Sequence, residues 1–152
     1  MSPILQDVQA DFIFPELKAA NGRQVLKTLA HEVAIRTALD AEMIYDDLIA
    51  QEQKSASGIG GGVAIPHMQM EELHEPIMIL ARLDNPLDFH AVDQQAVDLV
   101  FLLLSPAQDG PLHLRRLSRI SRLLKSQQLR TARDAHTMRA IMTEPEDWLI
   151  AA

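Results

Sequence analysis

The sequence predicts an α/β fold, a single domain over residues 1–152 in which helices flank a mixed β-sheet. Three observations carry that prediction. Residues 97–104, Val-Asp-Leu-Val-Phe-Leu-Leu-Leu, are almost continuously apolar, as a central strand covered on both faces requires. Val25, Leu29 and Val33 recur beside Leu26, Ala30 and Ala34 at helical spacing, which gives one apolar face. Strand-like and helix-like segments then alternate, the pattern of a layered sheet and its helices.

Taken in order, Phe12-Ile13-Phe14 before Pro15 reads as a short opening strand or extended segment. Asn21 is placed to cap a helix over about residues 22–39. Asp40 caps a second helix running to about residue 53, with Glu42 favourable in its first turn. Ile44 and Leu48, with Tyr45 and Ile49 one strip over, form its buried side. Residues 63–65 suit a short buried strand that Pro66 stops, since proline cannot donate to a ladder. Residues 68–75 read as a polar connection. Ile77 to Leu83 is a strand bounded by Pro76 and by Asp84-Asn85-Pro86, and residues 88–93 form a turn-rich connector. Pro111 opens a helix over about residues 111–125. Leu114, Leu117, Ile120 and Leu124 are its expected core stripe, with Arg115, Arg119 and Arg122 on a solvated face. A last helix is expected over residues 131–143, capped by Thr131 or Asp134, before a tail with Pro145 and Trp148.

Composition narrows the function classes. Hydrophobic residues make up 47% and charged residues 23% of 152, as in ordinary soluble domains. Cysteine is absent, which removes disulfides and thiolate metal sites. The start has no basic region followed by an apolar run, so no secretory signal is expected. The run from Leu99 to Leu104 is far too short to span a membrane. A cytoplasmic protein without membrane insertion is the expectation. Residues 1–100 hold 6 Lys/Arg against 16 Asp/Glu, and residues 101–152 hold 8 against 5. That acidic body argues against nucleic acid, whose binding rests on a basic footprint.

The most informative stretch is Ser57-Gly58-Ile59-Gly60-Gly61-Gly62-Val63-Ala64-Ile65-Pro66-His67, with four of the six glycines. A phosphate-binding nucleotide loop would need a lysine and a hydroxyl after its last glycine, and neither follows. The dinucleotide fingerprint fails too, because Val63 stands where its third glycine belongs. His67 is left just past a strand end, beside glycine N–H groups suited to an anion. Neutral imidazole is a nucleophile near pH 7. His113 falls in the first turn of its helix, where the dipole favours a bound anion and a neutral ring. His31 lies just beside the apolar face of the first helix and reads as a surface or half-buried side chain. His74 and His90 match no zinc spacing with His67 and His113, so no metal is expected.

This segment resembles the active-site stretch of the IIA proteins of the bacterial phosphotransferase system. The likeness is to the fructose/mannitol class and, within it, to the free-standing nitrogen-related IIA proteins. It extends from the helix before the motif, through residues 97–104, to His113-Leu114. The resemblance implies that His67 carries a phosphoryl group received from a phosphohistidine on an HPr-like (NPr) carrier, with His113 beside it. It also implies regulated target proteins as partners and no nucleotide, metal or other cofactor. Ser57 stands where the family often has threonine. With Gly58, Gly60 and Gly61 it is the expected cradle for phosphoryl oxygens, although a turn serine bonded locally is an equal reading.

One position departs from the family. An Arg-Glu pair usually ends the helix before the motif, and here the pair is Gln51-Glu52. Glutamine cannot neutralise charge as guanidinium does, and phosphoryl transfer leans on such charge. Arg82 or a partner residue is the expected compensation. Two alternatives stay open: a sugar-specific IIA component of a fructose or mannitol transporter, and a transfer-deficient interaction module marked by Gln51.

Overall fold

The computed structural model describes residues 8–143. The chain start and the expected tail at Pro145 and Trp148 lie outside them. The elements are β1 (Phe12–Leu17), α1 (Gly22–Thr37), α2 (Ala41–Lys54), β2 (Gly58–Gly60), β3 (Val63–Ala64), β4 (His67–Met70), β5 (Ile77–Leu87), β6 (Val97–Pro106), a 3-10 turn (Ala107–Asp109), α3 (Leu112–Leu123), α4 (Gln127–Thr131) and α5 (Ala135–Thr143). No described helix is long and apolar enough to cross a membrane.

The six strands form one mixed sheet in the order β1-β5-β6-β3-β2, with β4 also on β6. β1 runs parallel to β5, and β5 runs antiparallel to β6. β3 and β4 are both parallel to β6, at successive stretches of its edge. The apolar run at 97–104 is therefore the central strand. Its alternate residues serve opposite cores. Val100, Leu102 and Leu104 pack with Val25, Leu29 and Val33 of α1 and Ile44 and Leu48 of α2. Leu99, Phe101 and Leu103 pack with Ile120, Leu124, Leu129 and Met138 on the other face.

Both predicted caps form. Asn21 Oδ1 accepts from Gln24 N at 3.0 Å and Asp40 Oδ2 from Met43 N at 3.3 Å, each satisfying a donor left open at a helix start. β1 passes through Pro15 because it is an edge strand, and its register shifts between Phe14 and Leu17. β5, an inner strand, runs past its expected end at Leu83 and through Pro86 to Leu87, with an irregularity between Arg82 and Leu87.

Three expectations are corrected. Pro66 does not end the strand region: Leu103 N donates to its carbonyl at 2.9 Å, and β4 resumes at His67, inside the stretch read as a polar connection. Proline lacks an N–H but keeps its acceptor, so it acts as a joint between two strands that share β6. The helix expected from residue 131 begins at Ala135, and a separate short helix, Gln127–Thr131, precedes it. Thr131 closes α4, and Asp134 caps α5 by accepting from Thr137 N at 2.8 Å. In α3, Leu114 is 69% exposed, whereas His113, Arg116, Ile120 and Leu123 are buried.

Candidate functional site

The site forms where β4 and β6 meet the first turn of α3. Parallel pairing sets His67 beside Leu103 at the start of β4. Gly110, at φ 52°, turns the chain from the 3-10 turn into α3, a conformation that favours glycine. His113 N donates to Gly110 O at 3.2 Å, and His113 is buried. The two histidines, distant in sequence, lie with Nδ1 of His67 and Nε2 of His113 3.0 Å apart. Their rings are tilted at 45° with centroids 5.1 Å apart.

A buried polar chain continues behind them. His113 Nδ1 is 2.8 Å from Ser105 Oγ, and Arg116 Nη1 donates to the same oxygen at 3.0 Å. Arg116 Nη1 also pairs with Asp109 Oδ2 at 2.7 Å. Ser105 is fully buried and Arg116 nearly so, and a guanidinium is tolerated there because a carboxylate balances it. Burial, then the charge of His67 and then that of Arg116, push the His113 pKa down from 6.5 to about 4. Burial also lowers that of His67. Both rings are therefore neutral near pH 7.

His67 lines a groove of about 860 Å³ with Ser57, Gly60, Gly61, Ile65 and Leu117. Glycine is required around it. Gly60, Gly61 and Gly62 have φ of 97°, 66° and 79°, which side chains rarely adopt. A Cβ on Gly58 would lie 2.8 Å from the Ala91 Cβ, so Gly58 is a packing position rather than part of the groove wall. Two carboxylates tie the loop down. Glu52 Oε2 accepts from Ser57 N at 2.9 Å and from Ser57 Oγ at 3.0 Å. Asp93 Oδ2 accepts from Gly61 N at 2.9 Å, and its bonds from Gly61 and Gln95 hold its pKa below the usual carboxylate range. Arg130 bonds the Gly61 carbonyl and pairs with Asp98 at 2.7 Å.

Gln51 stands in the last turns of α2, where its carbonyl accepts from Ser55 N at 3.0 Å. Arg82, the expected compensating charge, pairs with Leu99, four residues from the Leu103 row that holds His67. That spacing is about 13 Å along the strands. His90 is in the exposed connector with Asp88 at 3.7 Å. Among the described residues, no three His, Cys, Asp or Glu side chains gather to hold a metal.

Sequence reading missed Ser105, Asp109, Arg116 and Asp93. One signal was available: His113, Arg116 and Ile120 follow helical spacing on one face. An isolated hydroxyl ending the apolar run of β6 was the other. The carboxylate contacts at 52 and 93 left no pattern.

Residues 8–144 match the family model described as phosphoenolpyruvate-dependent sugar phosphotransferase system, EIIA 2. A nitrogen regulatory protein of Bradyrhizobium diazoefficiens is 39% identical over 147 residues, spanning 94% of this chain and 96% of that one. The crystal structure of nitrogen regulatory protein IIA-Ntr from Neisseria meningitidis superposes with a TM-score of 0.81 at 23% identity, covering 93% of this chain and 99% of that one. IIA mannitol from Escherichia coli shares the fold at a TM-score of 0.69 and 14% identity, over 86% and 94% of the two chains. With a family match across nearly the whole length, this chain belongs to the EIIA 2 family of the phosphoenolpyruvate-dependent sugar phosphotransferase system.

Proposed function

We propose that this protein is a phosphocarrier of the nitrogen-regulatory IIA kind, working in the cytoplasm, and that His67 is its phosphoryl acceptor. The observation that carries the reading is the 3.0 Å contact between His67 Nδ1 and His113 Nε2. With Nδ1 engaged, Nε2 is the ring nitrogen available to a donor that enters the groove. A neutral ring with its proton on Nδ1 presents a lone pair at Nε2.

The donor is a phosphohistidine on an HPr-like carrier. Its P–N bond breaks as the bond from phosphorus to His67 Nε2 forms, and the departing imidazole keeps the electron pair. The proton count closes because the departing ring takes up a proton equivalent to the one His67 gives up. Gly60 and Gly61, with Ser57, receive the phosphoryl oxygens, and His113 steadies the ring; Gly58 packs on Ala91 outside the groove and takes no part. For this the Ser57 hydroxyl turns from Glu52, and Gly61 N–H from Asp93. Phosphorylation then places a dianionic group between those carboxylates, and the altered surface selects among target proteins.

A second reading, a transfer-deficient binding module, has two observations in its favour: Gln51 in place of the family arginine and an Asp93 carboxylate already on Gly61 N–H. Intact-mass measurement after incubation with a phosphorylated HPr-like carrier separates the two. The phosphocarrier reading predicts one added phosphoryl mass on the wild type and none on His67→Ala. No added mass on the wild type, with labelling of Gln51→Arg, would instead establish the transfer-deficient module.

A further inference from the structure

Behind the two histidines lies a polar chain with no direct access to a donor. Asp109 holds Arg116 at 2.7 Å, Arg116 donates to Ser105 Oγ at 3.0 Å, and Ser105 Oγ is 2.8 Å from His113 Nδ1. Such a chain holds charge and hydrogen bonds in a buried place at a desolvation cost, and Arg116 Nε is left there without a hydrogen-bond partner among the described residues. Leucine or methionine would fill the volume without that cost, so the polar groups call for a reason of their own.

The reason lies in the ring protons. Guanidinium only donates, so Ser105 Oγ must accept from Arg116. The hydroxyl has one further lone pair and one proton. Across the next link, His113 Nδ1 either donates to that lone pair or accepts that proton. The two directions have opposite results at His67. If His113 Nδ1–H donates to Ser105, its Nε2 is an acceptor; His67 then carries its proton on Nδ1 and is a nucleophile at Nε2. If Ser105 donates instead, His113 Nε2–H points at His67 Nδ1, and the His67 proton is forced onto Nε2, where it blocks attack.

We propose that Ser105 and Arg116, braced by Asp109, are positioning residues that hold His113 neutral with its proton on Nδ1, and thereby keep His67 nucleophilic at Nε2. The inference rests on His67 being the phosphoryl acceptor. Arg116 acts here in two ways. Its charge disfavours a second proton on His113, and its hydrogen bond fixes the Ser105 oxygen where His113 can donate to it. Because Asp109 matches that charge, Arg116 orients the relay rather than clamping phosphate. It does not replace the arginine missing at position 51.

Nitrogen-15 NMR of histidine-labelled protein, without any donor, reads the proton positions directly. The wild type is expected to show His67 unprotonated at Nε2 and His113 protonated at Nδ1. Ser105→Ala removes the acceptor, so His113 should shift its proton to Nε2 and His67 Nε2 should become protonated. The maximal rate of labelling by phosphorylated carrier should then fall at least about tenfold, since a wrongly held tautomer disables a histidine. The donor concentration for half-maximal rate should stay unchanged. Ser105→Thr keeps the hydroxyl and should restore both readouts, and Arg116→Lys should give an intermediate rate. A wild-type His67 already protonated at Nε2 would overturn the proposal. So would Ser105→Ala with wild-type tautomers and rate. If the wild type takes up no phosphoryl group, the functional reading fails on its own, and the tautomer measurement still decides this one.

Discussion

The two faces of the sheet are built from different chemistry. Under α1 and α2, side chains such as Val25, Leu29, Ile44 and Leu48 close on Ile79, Val100 and Leu102, all fully or almost fully buried and all aliphatic. The face under α3 begins in the same way, with Ile120 and Leu124 on Leu99 and Phe101. At one end it changes. Ser105, His113 and Arg116 take over, three of the four buried polar residues among those described. An apolar face is stabilised by area removed from water, and it tolerates no unpaired polar atom. A polar corner contributes little net stability but fixes directions, because hydrogen bonds are directional and each has a defined donor. The first face is a scaffold, and the corner of the second is where chemistry can be placed.

The largest effect that separates the two is expected in the scaffold. Leu29→Ala, at a fully buried position, should cost about 2–5 kcal/mol in stability, measured by urea unfolding. Labelling of the folded variant should proceed at the wild-type rate, and a slower rate under folding conditions would break the division between the faces. Gly58→Ala comes next. Its Cβ would sit 2.8 Å and 2.9 Å from Ala91 Cβ and Cα, and overpacking against backbone should cost about 1–3 kcal/mol. Because Gly58 braces the loop from outside the groove, the same unfolding curves should register it while His67→Ala leaves them nearly unchanged.

The smallest effect is on pH dependence and belongs to the polar corner. His113 titrates near 4 when folded and at the usual 6.5 when unfolded. Between those values the unfolded chain binds more protons, so stability falls as pH drops from 6.5 toward 4 and is unaffected by this group above that range. His67, lowered in the same direction by burial, adds to the trend. Unfolding curves at pH 7 and pH 5 should show a smaller loss for His113→Gln than for the wild type. An equal loss would mean that the corner does not hold His113 neutral.

Much of this architecture is written locally. Asn21 and Asp40 mark helix starts because a capping oxygen acts within three residues. Val97 to Leu104 identifies itself because a strand buried on both faces has no polar side to show. The glycine loop and His67 were legible for the same reason, as one contiguous motif. What stayed hidden depends on distant partners. β4 follows Pro66 only because β6 offers its edge, and nothing in Met68-Gln69-Met70 announces that pairing. Leu114 looked like core from its spacing, and Arg116, which the sequence reading did not single out, is the side chain buried beside it. Inside, Asp109 and Ser105 both engage its Nη1, while its Nε has no hydrogen-bond partner among the described residues. The carboxylate of Asp93 on the loop was equally invisible, since a hydrogen bond across 32 residues leaves no periodic trace.

The most direct test of the account is to locate the phosphoryl group atom by atom. Nitrogen-15 and phosphorus-31 NMR of the protein labelled by a phosphorylated HPr-like carrier would do so. With Nδ1 of His67 held against His113, the phosphoryl group should be bonded to Nε2 of His67 and to no other side chain. A phosphoryl group on Nδ1 of His67, or on His113, would contradict the geometry on which the proposed mechanism stands.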